Sequence, residues 1–286
     1  MLFLVGLGIV VGCVIGGYVA GGGHLGVLFQ PFEFIIILGA AIGAFIISNP
    51  LPVVMATLKS FGLLLKGSKL AKSSYIELLS LLYATFKLAK TKGDLALESH
   101  IDNPRESALF SAYAGFTANH HAVEFLCDNL RLLTMGSCAA HELDAVMDAE
   151  LAAHHANGHA VPGALQSVAD ALPALGIVAA VLGVIHTMGS ITEPPEVLGH
   201  LIGGALVGTF SGVLIAYGVV APIARSLENT HNAEDQYLHC IKTAMLGHVQ
   251  GYAPQVSVEF ARKTLTGPVR PAFSEMDEAF QNVRLP

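Results

Sequence analysis

Four long runs of apolar residues dominate the pattern of hydrophobic and polar positions along the chain. An α-helix needs about 20 predominantly apolar residues to cross the hydrocarbon core of a bilayer. The runs close to this length cover residues 2–21, 33–50, 171–191 and 200–222. No run of alternating polarity indicates a β-strand. The sequence therefore predicts an all-α integral membrane protein with four transmembrane helices.

The charged residues lie outside these runs. Only 13% of the residues are charged, against about 25% in soluble domains. All fifteen Lys and Arg residues fall within 51–170 or 225–286, and basic segments stay on the cytoplasmic side of a membrane. We therefore expect both termini in the cytoplasm and the four helices paired in two hairpins whose short loops face outward.

This distribution divides the chain into four parts. Residues 1–50 and 171–224 are the predicted transmembrane hairpins, and residues 51–170 and 225–286 are a cytoplasmic helical domain and a cytoplasmic helical tail. The cytoplasmic parts read as helix because their apolar residues recur every three or four positions. We expect the third and fourth transmembrane helices to continue beyond the bilayer into a cytoplasmic bundle. In the stretch NPRES, Pro104 is expected in the first turn of a new helix.

Small residues line one side of each of the last two apolar runs. Gly204, Gly208 and Gly212 lie four residues apart in the fourth run, so they share one face of a helix. The third run carries Gly176 and Gly183. Faces of this kind let helix backbones approach closely in lipid. We predict that they pack on each other, on a second copy of the chain or on a helix of another protein.

Two prolines lie near the predicted cytoplasmic ends of these helices. Pro173 follows the start of the third helix, and Pro222 ends the fourth. A proline inside a helix removes a hydrogen bond and kinks the helix, which membrane helices tolerate when neighbouring groups satisfy the backbone. The two prolines either form a matched pair of hinges at equal depth or only mark helix ends.

The apolar runs contain no evident group that could carry an ion. Glu33, Glu193 and Glu196 are expected at the outer rim of the membrane and Asp170 at its inner edge, with no Asp, Glu, Lys or Arg between them. His186, near the outer end of the third run, is expected to be an interfacial histidine. Ion pathways are usually marked by ionisable residues within the membrane. Either the chain conducts nothing, or another polypeptide supplies the carboxylate.

Several stretches match a known family in order along the chain. They are ALVGTFSGVL (205–214), GGYVAGGGHLGVLFQPFEF (16–34), NPRES (103–107), LPALGIVAAVLGVIH (172–186) and GYAPQVSVEFARKTL (251–265). In these stretches the chain resembles the MotA family of flagellar motor stator subunits, within the MotA/TolQ/ExbB proton channel group. The resemblance implies a multi-pass protein of the bacterial inner membrane. It also implies a ring of copies, thought to be a pentamer, around the membrane helices of two MotB subunits.

The resemblance implies a mechanism as well. MotB supplies the proton-accepting aspartate, and proton flow past it turns the ring against the rotor protein FliG. By similarity, Pro173 and Pro222 couple protonation to movement, and Thr209 lines the ion path. Ala180 stands where sodium-driven relatives typically carry threonine. Because a sodium site needs oxygen ligands, this residue favours H+ as the transported ion.

A rotor contact is also implied by the resemblance. Lys90 stands in place of the arginine of the family, and Glu98 matches the glutamate of the family. Lysine keeps the positive charge but loses the planar fork of arginine. Solvated surface charge is the alternative interpretation of both residues, and Lys92, Asp94 and Arg105 are neighbours that could share the role.

Two other functions stay open at this point. One is an energiser of outer-membrane transport of the ExbB/TolQ type, against which the four-helix charge pattern argues. The other is a membrane scaffold without ion flux. The sequence contains no phosphate loop, nucleophile triad or dinucleotide fingerprint. We therefore expect no enzyme activity, no cofactor and no nucleic-acid partner, with membrane lipid as the surroundings of the apolar helices.

A histidine-rich segment offers a candidate metal site. Its members are His120, His121, His141, His154, His155 and His159. No cysteine or acid completes a recognisable ligand spacing, so no bound metal is expected. The cysteines have no CxxC spacing and are predicted to be free thiols; they are Cys13, Cys127, Cys138 and Cys240.

Overall fold

The computed structural model describes residues 2–64, 70–136 and 139–285, and these residues form helices joined by turns, with no β-strand among them. The α-helices are α1 (Leu2–Ala20), α2 (Leu25–Leu28), α3 (Pro31–Ser48), α4 (Leu51–Leu64), α5 (Lys72–Lys92), α6 (Glu98–Asp102), α7 (Ala108–Ser111), α8 (Ala114–Thr117), α9 (His120–Thr134), α10 (Ala140–Met188), α11 (Pro195–Ile215), α12 (Ala221–Val249), α13 (Pro254–Thr264) and α14 (Phe273–Gln281). Two 3-10 helices, Asp94–Leu97 and Gly267–Val269, and a π-helix, Ala216–Val220, complete the list. The predicted all-α class is confirmed.

Four helical stretches are long and apolar enough to cross a membrane. They lie in α1, in α2 and α3 together, in α10, and in the continuous run from Pro195 to Val249. Large apolar side chains stay exposed on them, with Ile47 89% and Ile185 62% exposed, as suits helices covered by lipid or by other chains. Each of the four predicted transmembrane segments lies largely within one of these stretches, which supports a membrane-embedded protein.

α10 and the run formed by α11, the π-helix and α12 are much longer than a membrane span. α10 has 49 residues and so extends about 73 Å at 1.5 Å per residue, against about 30 Å of hydrocarbon. α12 adds 29 residues to the helix that begins with α11. The third and fourth apolar helices therefore continue well past bilayer length, as the sequence predicts.

The chain forms two compact units, each built from two separate segments. The first unit comprises Met1–Gly67 and Gly158–Thr230, and the second comprises Ser68–Asn157 and His231–Pro286. The first unit contains the membrane-length helices, including the carboxyl-terminal part of α10 and the start of α12. The second unit contains α5 to α9, the amino-terminal part of α10, the rest of α12, and α13 and α14.

Two small groups of buried apolar residues hold the helices of the first unit together. One group joins α3 and α10 with the π-helix and consists of Ile37, Ala41, Leu172, Ala179 and Ala216. The other joins α10 and α12 and consists of Leu165, Ile223, Ala224 and Leu227. Because many of these residues are small, the helices of this unit approach one another closely.

α5 is the centre of the second unit, because most of its side chains between Tyr75 and Ala89 are buried. Tyr75 packs edge-on against Tyr237 of α12, with ring centroids 5.4 Å apart, and Phe86 stacks on His248 at 4.6 Å. Burial raises the pKa of Tyr75 to about 12. This unit therefore has a continuous aromatic and aliphatic core of its own.

The fold shows the position of Pro104 and the state of the cysteines. Pro104 lies in a turn between α6 and α7 and not in the first turn of a new helix. The reason is that Ser107 caps α7, its hydroxyl accepting a hydrogen bond from the backbone N–H of Phe110 at 3.3 Å. Cys13, Cys127 and Cys240 are free thiols, as predicted, and Cys138 lies outside the described residues.

Candidate functional site in the membrane helices

α10 and α11 contact each other through glycines whose backbones nearly touch. A Cβ atom added at Gly176 would lie 2.8 Å from the carbonyl oxygen of Gly208. One added at Gly212 would lie 2.7 Å from the carbonyl oxygen of Leu172 and 2.9 Å from Cα of Gly176. Real Cβ atoms essentially never come closer than 3.0 Å to another heavy atom. Glycine is therefore required for this separation of the two helices.

The contact continues toward the loop between α10 and α11. A Cβ on Gly183 would lie 2.7 Å from Cβ of Ala205, and one on Gly204 would lie 2.9 Å from Nε2 of Gln30, the residue before α3. Leu172, Gly176 and Gly183 of α10 face residues 212, 208 and 205 of α11 in that order. Residue numbers therefore increase along α10 where they decrease along α11, so the two helices run antiparallel. All five glycines singled out from the sequence lie at close contacts, which we call the glycine seam: Gly176, Gly183, Gly204, Gly208 and Gly212.

Glu33 of α3 reaches into the glycine seam. Its Oε2 atom lies 2.9 Å from the position that a Cβ on Gly208 would take, and its Oε1 atom lies 3.2 Å from the corresponding position at Gly183. Oε2 is buried and has no hydrogen-bond partner among the described residues. The sequence placed Glu33 at the outer rim of the membrane, and the structure adds that its side chain lies against glycines of α10 and α11. The carboxyl group fits there because two glycines leave room for it.

A cavity of about 530 Å³ borders this carboxyl group between α3, α10 and α11. Apolar side chains form part of its wall. Its polar lining consists of Gln30, Glu33, His186, Thr187 and His200. No Lys or Arg lines this cavity in the described part of the chain. A concave space with a few convergent polar groups is the usual form of a ligand or ion site.

Ala180 of α10 and Thr209 of α11 lie at the contact between these two helices. The backbone nitrogen of Ala180 lies 3.2 Å from the Cβ position at Gly208, and Cα of Thr209 lies 3.3 Å from the Cβ position at Gly176. Gly208 is buried, whereas Ala180 and Thr209 are each partly exposed. The fold therefore brings both predicted ion-path residues to the edge of the glycine seam.

The two prolines do not lie at the same depth. Leu172, just before Pro173, is level with Gly212, because its carbonyl oxygen faces the Cβ position there. Pro222 lies ten residues beyond Gly212, about 15 Å further along the helix at 1.5 Å per residue. Matched hinges at equal depth are therefore excluded by the antiparallel packing, which sets Pro173 opposite the middle of the fourth apolar run.

Both prolines lie inside continuous helices. The five residues Ala216–Val220 form a π-helix, and Pro222 follows in the first turn of α12. A proline removes the hydrogen bond to the fourth residue before it and pushes that carbonyl group away, and π turns commonly accompany such interruptions. Pro173 lies within α10, as does Pro162. Pro222 therefore lies within a continuous helical run, as expected for a helix that continues beyond the fourth apolar run, and does not mark a helix end, which was one of the two alternatives left open by the sequence.

Comparison with known proteins agrees with this architecture. A family model of the motility protein A N-terminal region matches residues 4–93, and a model of the MotA/TolQ/ExbB proton channel family matches residues 118–239. Motility protein A of Salmonella typhimurium is 43% identical to the chain, over 100% of this chain and 97% of that protein. The chain belongs to the motility protein A family.

Two solved structures share the fold of this motility protein A family member. The structure of C. jejuni MotAB has a TM-score of 0.78 at 22% identity and covers 95% of this chain and 98% of that chain. The structure of the flagellar MotAB stator complex from Bacillus subtilis has a TM-score of 0.70 at 24% identity, with 90% and 92% covered. Membership of this family, together with the Salmonella relative, supports the interpretation as a flagellar motor stator subunit over the alternative of an energiser of the ExbB/TolQ type.

The two residues expected at the rotor lie on the surface of the second unit of this motility protein A family member. Lys90 is in the last turn of α5, Glu98 is the first residue of α6, and both are exposed. Between them Gly93, with φ of +87°, leads into the 3-10 helix that begins at Asp94. Oδ1 of Asp94 lies 3.4 Å from Nε2 of His248, so this carboxylate already interacts with a residue of the same unit.

Asp235 connects two members of the histidine-rich segment, a link that sequence spacing did not reveal. Its Oδ1 atom lies 3.0 Å from Nδ1 of His154, and its Oδ2 atom lies 2.6 Å from Nδ1 of His155. Burial raises the pKa of Asp235, but hydrogen bonds from His155 and His154 outweigh this effect and hold the pKa below its usual value. The acid comes from α12, some 80 residues away in sequence.

Proposed function

We propose that this stator subunit conducts ions and generates torque together with a MotB-type single-span partner. The partner supplies the membrane aspartate, and inward proton flow past it is converted into torque on the rotor. The observation that carries the proposal is the glycine seam, with Ala180 and Thr209 at its edge, in a chain that aligns over its full length with a motility protein A.

A ring of copies around MotB is proposed to cover the outward face of α10. Ile177, Val181, Leu182 and Ile185 on this helix are 47–62% exposed. The two related structures are named as MotAB complexes, and the resemblance of the sequence suggests five copies in the ring. Membrane lipid would cover the apolar surface that remains outside the ring.

The transported ion is proposed to be a proton. Ala180 offers a methyl group where a bound sodium ion would need an oxygen ligand, and Thr209 is proposed to line the path. Each elementary charge that crosses the membrane delivers about 2.3 kcal/mol per 100 mV, which can shift a helix between two packings of similar energy. Pro173 and Pro222 are proposed to be the positions where such a change bends the helices. No chemical reaction and no cofactor are included in the proposal.

The exposed charges of the second unit are proposed to meet the rotor. Lys90 and Glu98 would pair with opposite charges on FliG, and surface pairs of this kind are individually weak, worth up to about 1 kcal/mol. A contact built from several such pairs suits a rotor surface that must be released at every step.

The protein is proposed to lie in the bacterial inner membrane with both termini in the cytoplasm. In this arrangement residues 1–50 and 171–224 form the two transmembrane hairpins, and residues 51–170 and 225–286 are cytoplasmic. The distribution of the fifteen basic residues supports it, as does the antiparallel packing of α10 on α11.

Deletion of the gene from its flagellated host tests the proposal. The deletion strain is expected to build complete flagella and fail to swim, and a plasmid copy of the gene should restore swimming. Swimming of the restored strain should persist without external sodium and stop when a protonophore is added. A deletion strain that swims normally, in a host without a second stator set, would contradict the assignment.

A further inference from the structure

Glu33 has an environment that packing alone does not explain. Its carboxyl group lies against the Cβ positions of Gly208 and Gly183, and its buried Oε2 atom has no hydrogen-bond partner among the described residues. A polar group buried without a partner is costly, and ionisable residues within membrane segments are usually functional. An apolar side chain at this position would avoid the cost, so a role for the carboxyl group itself is indicated.

The polar side chains that line the cavity with Glu33 are an amide and two imidazoles, besides the hydroxyl group of Thr187. They come from three elements: Gln30 precedes α3, His186 lies near the end of α10, and His200 lies in the second turn of α11. No Lys, Arg or second acid lines the cavity in the described part of the chain. Glu33 therefore has no fixed positive charge to pair with, unlike the carboxylates of the second unit, such as Asp144 beside Lys242.

The cavity and the glycine seam meet at this carboxyl group, because Gly183 and Gly204 of the seam also line the cavity. The cavity extends to His186 and His200, near the loop that joins α10 and α11. The Oε2 atom meets Gly208, whose next residue is Thr209 and whose neighbour on α10 is Ala180. Glu33 thus borders a space wide enough for water and also contacts a glycine adjacent to the residues of the proposed ion path.

We propose that Glu33 is a proton-binding site of this chain itself, which takes up a proton through the cavity and passes it to the carboxylate of the partner at the level of Thr209. The inference rests on the proposed function. In the first step the Glu33 carboxylate accepts a proton from a hydronium ion in the cavity, which leaves water. In the second step the O–H bond of Glu33 breaks, and the proton is bound by the partner carboxylate. The side chain returns to its ionised form, and no electron is transferred.

The test compares Glu33→Gln with Glu193→Gln in cells that express the full chain with its MotB-type partner, the partner carrying a deletion of any plug segment. Glu193 is an exposed acid in the loop between α10 and α11, so its replacement serves as a matched control. The readout is the rate of cytoplasmic acidification at several external pH values, with the amount of assembled complex measured by co-purification. Glu33→Gln is expected to assemble and to slow acidification roughly 100-fold or more, since a positioned proton-transfer group typically contributes about 100- to 10,000-fold.

Glu33→Asp and Glu33→Leu separate the proton role from packing. Glu33→Asp keeps the acid and is expected to restore part of the flux, whereas Glu33→Leu leaves no unpaired polar group and should assemble without conducting. An assembled Glu33→Gln or Glu33→Leu complex with the flux and pH profile of the wild type would overturn the proposal. So would failure of both variants to assemble, which would make Glu33 a packing residue. If the wild-type complex itself conducts no protons, the proposed function fails and not only the role of Glu33.

Discussion

Replacement of Gly212 by alanine tests how tightly α10 and α11 are held. The added Cβ would lie 2.7 Å from the carbonyl oxygen of Leu172 and 2.9 Å from Cα of Gly176, whereas ordinary contact begins at 3.4 Å. Both neighbours are backbone atoms, so no side chain can rotate out of the way. The two helices must separate by about 0.7 Å at this point, the difference between 3.4 and 2.7 Å.

The expected cost follows from two opposing effects. Forcing an extra methyl group into a close-packed contact typically costs about 1–3 kcal/mol. Alanine favours the helix over glycine by up to about 1 kcal/mol, which offsets part of that cost. Gly212→Ala should therefore destabilise the chain by about 1–2 kcal/mol. Gly199→Ala lies on the same helix α11 with no heavy atom within 4 Å of the added Cβ, so it should be neutral or slightly stabilising.

The assay is thermal unfolding of the two purified variants and the wild type, each co-purified with the partner subunit in detergent. Gly212→Ala should unfold at a lower temperature than the wild type, and Gly199→Ala should not. Swimming speed in soft agar gives a second readout, because a wider glycine seam shifts Ala180 away from Gly208. Equal unfolding temperatures for Gly212→Ala and Gly199→Ala would refute the close approach on which the site depends.

Three further predictions concern other parts of the chain. Burial lowers the pKa of His248 despite the opposing effect of Asp94; the unfolded chain therefore binds a proton first, and stability should fall as pH drops below about 6.5. His248→Phe, which can keep the stack on Phe86, should reduce that loss, and an unchanged pH profile would contradict it. Lys242 lies 2.6 Å from Asp144 and 2.5 Å from Asp148 with 7% of its side chain exposed. Because both carboxylates are partly solvated, Lys242→Met should lower the free energy of unfolding, measured by chemical denaturation, by about 1–2 kcal/mol. An unchanged free energy of unfolding would contradict a stabilising role for these two ion pairs. Thr209→Ala should slow swimming while Thr209→Ser keeps most of it; equal speeds would argue against a hydroxyl in the ion path.

The sequence predicted the features that depend on local composition. The first apolar run, 2–21, corresponds to α1 (Leu2–Ala20), and the second, 33–50, corresponds to α3 (Pro31–Ser48). Such runs can be predicted because the hydrophobicity of a helix depends only on its own residues. The shared face of Gly204, Gly208 and Gly212 followed from the helical period alone. The partner that this face contacts, α10, was one of three alternatives that periodicity left open.

The features that the sequence did not reveal depend on the relative depth of helices. Glu33 is the first residue of the second apolar run, and its position along the chain gave no sign that its side chain contacts Gly208 on another helix. The prolines were considered as hinges at equal depth because each lies near the end of a run, but the antiparallel register of α10 and α11 separates them. Asp235 likewise reaches His154 and His155 only through tertiary packing. Spacing along one chain carries no information on such registers.

The position of Glu33 suggests how protonation can act on the helices without a large movement at the site. Its carboxyl group adjoins Gly208, which is one helical turn from Gly212, where the backbones of α10 and α11 are in close contact. Pro173 follows Leu172 at that contact, so α10 lacks a backbone hydrogen bond at the same level. On the proposed role of Glu33, each proton removes the charge of a carboxyl group that faces no Lys or Arg among the described residues of the cavity. The change in charge therefore falls about one helical turn from a close backbone contact and from Pro173, a place where a small change in packing energy can bend α10.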